Sequence, residues 1–194
     1  PRAFLCASAI GYYGHRGDQE LNEESAAGEG FLPEVCLQWE NACLSASEAG
    51  IRVANLRFGV VLSPDGGALA SMLTPFKLGA GGIIGNGKQY FSWIALDDAV
   101  QAIKFVLEND ALEGPINCVT PQAVTNREFT KALGQALSRP TIFPMPAFAA
   151  RMAFGEMADA LLLASARVVP EKLTQAGFIY QHAELLPALK YLLG

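Results

Sequence analysis

Apolar positions along this chain fall in short runs divided by turn residues, and two periods alternate. Residues 3–9, Ala-Phe-Leu-Cys-Ala-Ser-Ala, are almost all apolar, which predicts a strand covered on both faces, as in a parallel sheet. Gly11 and Gly14 bracket a turn around Tyr12 and Tyr13, and the polar, acid-rich stretch that runs on to Gly30 reads as surface loop. Over residues 31–49 the period becomes helical. Leu32, Val35, Cys36, Trp39 and Cys43 share a stripe, Pro33 is tolerated in a first turn, and Gly50 supplies the stop. Residues 51–62 return to a strand interrupted at Arg57 and Gly59, so strand, helix and strand form a right-handed βαβ candidate.

Beyond this unit, residues 63–87 are rich in glycine, with a possible short helix at 68–73. The segment Phe91-Ser-Trp-Ile-Ala-Leu-Asp-Asp98 closes as a strand and opens a helix, its two carboxylates suited to capping and to pinning a loop. A strand follows at 116–119, and Thr125-Asn-Arg-Glu128 is a capping box for the next helix. Past Arg139-Pro140 the character changes to an Ala/Met/Leu-rich helical region over 147–168, then a terminal helix near 183–193. The predicted division is an α/β region, 1–140, and a small helical region, 141–194.

Composition narrows the function classes. Hydrophobic residues are 51% and charged residues 17%, enough apolar material for a core, and no run of eighteen apolar residues marks a transmembrane helix. Net charge is −5 without a Lys/Arg cluster, which argues against nucleic acid as a partner; no membrane partner is expected either. The four cysteines include no Cys-x-x-Cys pair and the two histidines are far apart, so neither a metal site nor a disulfide framework is expected. Reduced thiols in a cytoplasmic protein fit this usage.

Several landmarks in order carry a family resemblance. They are Ser8-Ala-Ile-Gly-Tyr-Tyr-Gly14, Phe31-Leu-Pro-Glu-Val-Cys36 with Trp39-Glu40, Leu56-Arg-Phe-Gly-Val-Val-Leu62, the glycine-dense 79–87, Phe91 to Asp98, and Phe154-Gly-Glu-Met-Ala-Asp159. The chain resembles the extended short-chain dehydrogenase/reductase superfamily, and within it the sugar-epimerase-like YfcH/SDR39U1 group. The resemblance implies the C-terminal half of a Rossmann-like parallel sheet plus a mainly helical substrate-side lobe. It further implies NAD(P), with NADP favoured, as cofactor and a small, sugar-like substrate. By position, Ser8 matches the superfamily's catalytic Ser or Thr. Arg57, Phe58, Gly59 and Val60 match the segment approaching the nicotinamide, while Tyr12, Gln89, Tyr90 and Trp93 are expected to face substrate.

Two departures qualify these expectations. Gly-x-Gly-x-x-Gly does not follow a strand, the 79–87 run failing on that spacing at Ile84; Gly11-x-x-Gly14-x-x-Gly17 follows the first strand and Gly79-x-x-Gly82-x-x-Gly85 occurs in the later run, but neither opens a helix. The chain therefore reads as a fragment lacking the family's N-terminal glycine-rich half, which would have to be supplied for cofactor binding. An opened sheet edge would then need cover, from a homodimer or another association. Second, registering Glu40 on the superfamily's helix places Leu32 and Cys36 where Tyr-x-x-x-Lys belongs, and Tyr12 has only the fixed charge of Arg16 four residues on. A non-catalytic nucleotide-sensing or interaction module, of the kind labelled a cell-division inhibitor in this group, is the alternative.

Overall fold

The computed structural model describes residues 1–154, 159 and 163–194. The chain runs β1 (Ala3–Ala9), a 3-10 turn (Ile10–Tyr13), β2 (Glu20–Leu21), α1 (Phe31–Ala42), α2 (Leu44–Glu48), β3 (Arg52–Phe58) and β4 (Val60–Leu62). There follow α3 (Gly67–Lys77), β5 (Tyr90–Phe91), β6 (Trp93–Ala95), α4 (Leu96–Glu108), β7 (Gly114–Cys118), β8 (Val124–Thr125) and α5 (Asn126–Ala136). The last elements are α6 (Ala147–Phe154), β9 (Arg167–Val168), α7 (Glu171–Gln175) and α8 (Leu185–Leu193).

A parallel sheet in the order β1-β3-β7 organises the molecule. Alternation along β3 sends Ala54 and Leu56 into a core with Ala102 and Val106 of α4 and with Ile116 and Cys118. Asn55 and Arg57 therefore belong to the opposite face, the one α1 covers. Phe58 ends β3, and the chain steps at Gly59 into β4, which pairs in parallel with β6. Glycine is required at this step: a Cβ on Gly59 would stand 2.6 Å from both Ser92 O and Val119 Cγ1.

A second core joins Leu62, Leu69, Phe76, Trp93, Phe129, Leu133 and Leu189, bringing α3, β6, α5 and α8 together. Residues after 141 also reach the first core through Leu173 of α7, and β9 pairs in parallel with β2. The capping box forms as its residues predict: Thr125 Oγ1 accepts from Glu128 N, and Glu128 Oε2 accepts from Thr125 N.

Several expectations need correction. β1 is only half covered, and Phe4 is exposed, because β1 has a partner strand on one side alone among the described residues. The helix expected over 31–49 breaks at Cys43 into α1 and α2. Its inward stripe is Pro33, Cys36, Glu40 and Cys43, and Trp39 is turned out to 57% exposure. The helix expected at 68–73 extends over Gly67–Lys77, through Pro75. β9 lies within a stretch expected to be helical. Most of the Phe154-to-Asp159 landmark lies outside the described residues. No helix among those described is long and apolar enough to cross a membrane.

Candidate functional site

Ser8, Arg57 and Asn117 are register partners across β1, β3 and β7, one residue short of the strands' carboxyl ends. Open α/β sheets bind their ligands outside this edge. All three side chains are buried, and a single carboxylate from α1 ties two of them together. Glu40 Oε1 accepts from Ser8 Oγ and from Arg57 Nε, both at 2.8 Å, and Oε2 accepts from Arg57 Nη2 at 2.7 Å. Arg57 Nη1 donates to Tyr13 Oη at 3.0 Å, and Tyr13 Oη donates in turn to Asn117 Oδ1 at 2.7 Å. The Tyr12 ring lies 3.5 Å below the Arg57 guanidinium carbon.

Arg57 is 3% exposed as a side chain and Glu40 10%, so this is a buried ion pair in bidentate geometry. Burial opposes the charge on Arg57, but the hydrogen bonds it donates to Glu40 and Tyr13 outweigh it and hold the guanidinium firmly cationic. Burial raises the Tyr13 phenol, with Arg57 pulling the other way, so the hydroxyl stays protonated and serves as a donor. The Cys36 thiol is likewise raised by burial. Asn117 is engaged at both ends of its amide: Oδ1 accepts from Tyr13 and Nδ2 donates to Val169 O at 2.9 Å, while its backbone N–H donates to Glu23 Oε1 at 3.0 Å. Chemically, the network locks a hydroxyl, a carboxylate and a guanidinium in fixed positions beneath the ligand edge. Ser8 directs its only proton at Glu40, leaving its lone pairs for another donor.

Of the predicted site residues, Ser8, Arg57 and Tyr12 come together here. Phe58, Gly59 and Val60 continue along the same edge, where Gly59 N–H donates to Cys118 O and Val60 N–H to Ser92 O. Tyr90, with Gln89 next to it in the chain, stands in a second group, and Tyr90 is stitched to the chain around Ser165. Tyr90 N–H donates to Ser165 Oγ at 2.9 Å, and Arg167 lies 5.5 Å over the Tyr90 ring. Ser165 N–H donates to His15 Nδ1 at 3.0 Å, and Gly17 O accepts from Ser165 Oγ, so this group abuts the tyrosine turn. Gln89 Nε2 donates to Ile84 O. Trp93 departs from expectation. Its side chain is fully enclosed in the second core and presents no surface to a ligand.

Glu40 and Asn117 are the polar centres that sequence reasoning undervalued. Asp98, fully buried at the start of α4, accepts from the backbone N–H groups of Gln181 and His182 at 2.8 and 2.9 Å. That is the loop-pinning role expected of the carboxylate pair; the capping role is not taken up, since Ala95 stands at the cap of α4 without a side-chain cap bond. The signal for the others was present as single polar interruptions of apolar strands, at Arg57 and Asn117, and as a carboxylate on a helix stripe.

The model of the NAD dependent epimerase/dehydratase family matches residues 3–118, more than half of the chain. The chain belongs to the NAD-dependent epimerase/dehydratase family. A domain of unknown function, DUF1731, matches residues 145–192. Among curated relatives, the epimerase family protein MT2273 of Mycobacterium tuberculosis is 46% identical over 185 residues, covering 95% of this chain and 62% of that protein. Human epimerase family protein SDR39U1, in a crystal structure with NADPH, superposes with a TM-score of 0.91 at 34% identity, over 99% of this chain and 65% of that one. A nucleoside-diphosphate sugar epimerase from Corynebacterium glutamicum gives 0.82 at 37%, over 100% of this chain and 38% of that one. The chain thus spans under two thirds of the length of the relatives it matches.

Proposed function

We propose that this family member acts as an NAD(P)-dependent epimerase/dehydratase-like oxidoreductase on a small, sugar-like substrate, and that NADP is the preferred cofactor. The observation carrying this reading is the buried row Ser8–Arg57–Asn117 at the carboxyl edge of the parallel sheet, tied to Glu40. The NADPH named with the human relative supports the cofactor assignment. The residues present fit one end of such a cofactor. Arg57, Phe58, Gly59 and Val60 would hold the nicotinamide end beside Ser8, while Tyr12, Gln89 and Tyr90 would contact substrate. The pyrophosphate end does not fit: the glycine-spaced Gly11-x-x-Gly14-x-x-Gly17 follows β1 but runs on into β2 and a loop rather than opening a helix. The cofactor supplies hydride transfer when bound; this chain's residues orient and exclude water around the reacting carbon.

The main dinucleotide grip is accordingly assigned to additional chain, such as the longer relatives carry. The same chain would cover the open edge of β1. That edge is flanked by a groove of Phe4, Cys6, Ala7, Trp39, Ala42 and Cys43, and Leu96, Val100, Ile103 and Leu107 of α4 are exposed. With these residues alone, a second copy would take that place. We retain the division at residue 140 and a cytoplasmic location as parts of the same proposal.

A second reading rests on two observations. Leu32 and Cys36 occupy the places of the superfamily's Tyr and Lys, and Ser8 is itself 5% exposed, so the network would support nucleotide sensing without turnover. To separate the two, the chain joined to a relative's glycine-rich half is screened against sugar nucleotides, following reduced-nicotinamide absorbance, beside its Ser8→Ala variant. Substrate-dependent turnover lost in Ser8→Ala supports the enzyme. Nucleotide binding without turnover across the screen supports the sensing module.

A further inference from the structure

The hydrogen bond from Ser8 to Glu40 sets a register between β1 and α1 that extends beyond the site. Side chains two apart on a strand share a face, so Cys6 is turned toward α1 as Ser8 is. Three residues on from Glu40, Cys43 stands on the same inward stripe, at the carboxyl end of α1. The helix that joins two parallel strands runs antiparallel to them, so both steps lead toward the amino end of β1. Cys6 and Cys43 are thereby brought together. Both line one groove of about 310 Å³, with Phe4, Ala7, Trp39 and Ala42 as the other walls.

This pair differs from the remaining thiols. Cys118 is fully buried in the core, and Cys36 is buried against Ala9 O. Cys6 is half-buried beside the open edge of β1, and its thiol donates to the adjacent Ala7 O at 3.7 Å. The Cys43 thiol donates to Trp39 O at 3.4 Å. Contacts of this kind are weak and do not hold a sulfur in place. Burial pushes the Cys43 thiol up to about 11, with the neighbouring Cys6 and the Glu40 carboxylate adding to the shift. Cys6, the more exposed of the two, meets an oxidant first.

We propose that Cys6 and Cys43 form a modification site, a dithiol that a low-molecular-weight disulfide oxidises to an intramolecular disulfide, stapling β1 to the end of α1. The Cys6 thiolate attacks one sulfur of the oxidant, whose S–S bond breaks, and the first small thiol leaves. Cys43 then gives its proton to solvent, and its sulfur displaces the second small thiol from Cys6. Two protein thiols are oxidised, and one small disulfide is reduced to two thiols. Nearness, rather than acidity, favours the closing step. Additional chain over the edge of β1 would shield both sulfurs, so their state reports whether that edge is open.

The test incubates the reduced, folded chain with glutathione disulfide and follows intact mass and non-reducing peptide maps. Cleavage at Lys, Arg and Glu separates Cys36 from Cys43 at Glu40. The expected product is lighter by two hydrogens, retains no glutathione, and has the Cys6 peptide joined to the Cys43 peptide. Cys36→Ala should leave this unchanged. Cys43→Ala should stop at a glutathione adduct on Cys6, and Cys6→Ala should give no joined peptide. The cross-link should also raise the urea midpoint, and reduction should restore it. A glutathione adduct that persists in the wild type, a joined peptide containing Cys36 or Cys118, or thiols untouched by excess oxidant would overturn the proposal. The wild-type peptide map decides between these outcomes even where a variant fails to fold.

Discussion

Replacing Glu40 by Leu tests whether the carboxylate on α1 is the centre that holds the site together. The substitution takes one acceptor from Ser8 and two hydrogen bonds from Arg57, a guanidinium 3% exposed. Arg57 cannot easily escape by losing its proton, because a guanidinium is ordinarily protonated far above neutral pH. It would retain Tyr13 Oη and the face of Tyr12, neither of which carries negative charge. Breaking a buried ion pair by removing one partner costs about 3–5 kcal/mol. Set against a whole-domain stability of roughly 5–15 kcal/mol, that loss is large enough to read in a urea melt. Adding Arg57→Met removes the stranded charge, and the double variant should recover most of the loss, so that its cost falls well below the sum of the two singles. A cost below about 1 kcal/mol for Glu40→Leu, as for an exposed pair, would refute the reasoning. So would a double variant whose cost is the sum of the two singles.

Three further predictions follow from individual contacts. Gly59→Ala places a methyl 2.6 Å from Ser92 O and Val119 Cγ1, so the β3–β4 step must shift away from β6. It should cost about 1–3 kcal/mol in thermal or urea unfolding, and an unchanged melting temperature would contradict the close approach. Asp98→Ala frees the N–H groups of Gln181 and His182, with an expected loss of about 1–3 kcal/mol and faster proteolysis near those residues. Burial raises the Glu23 carboxyl above its ordinary 4.5, against the backbone N–H groups it accepts. A raised folded pKa gives a contribution fully present below 4.5 that is lost as pH rises through the folded value. Glu23→Gln, which keeps an acceptor for Asn117 and Lys172, should flatten that decline and be at least as stable as wild type at neutral pH; an unchanged pH slope would count against this.

Local patterns made the first βαβ unit legible. The run at residues 3–9 is β1, the capping box is formed, and the polar interruption at Arg57 marks the carboxyl edge. What the sequence could not decide was which flank of α1 faces the sheet. Cys36 and Cys43 are inward on either choice, and the remaining position goes to Trp39 or Glu40 according to what waits on the strands. Arg57, seventeen residues away from Glu40 in sequence, makes burial of the carboxylate favourable and sends the indole to solvent. Asn117 was hidden for the same reason, since its partner Tyr13 lies 104 positions away. Trp93 drew attention by its place after a glycine-rich loop. It fills the core because β6 lies against β4, with α3, α5 and α8 packed around it.

The central claim, that these residues form the substrate side and nicotinamide end while the main dinucleotide grip lies in additional chain, is tested most directly by calorimetry. The purified chain is titrated with NADPH and with NADH, beside a longer protein carrying a relative's glycine-rich half. The account predicts no measurable binding by the chain alone and binding by the longer protein, with NADPH favoured. Tight binding of either dinucleotide by the chain alone would contradict it.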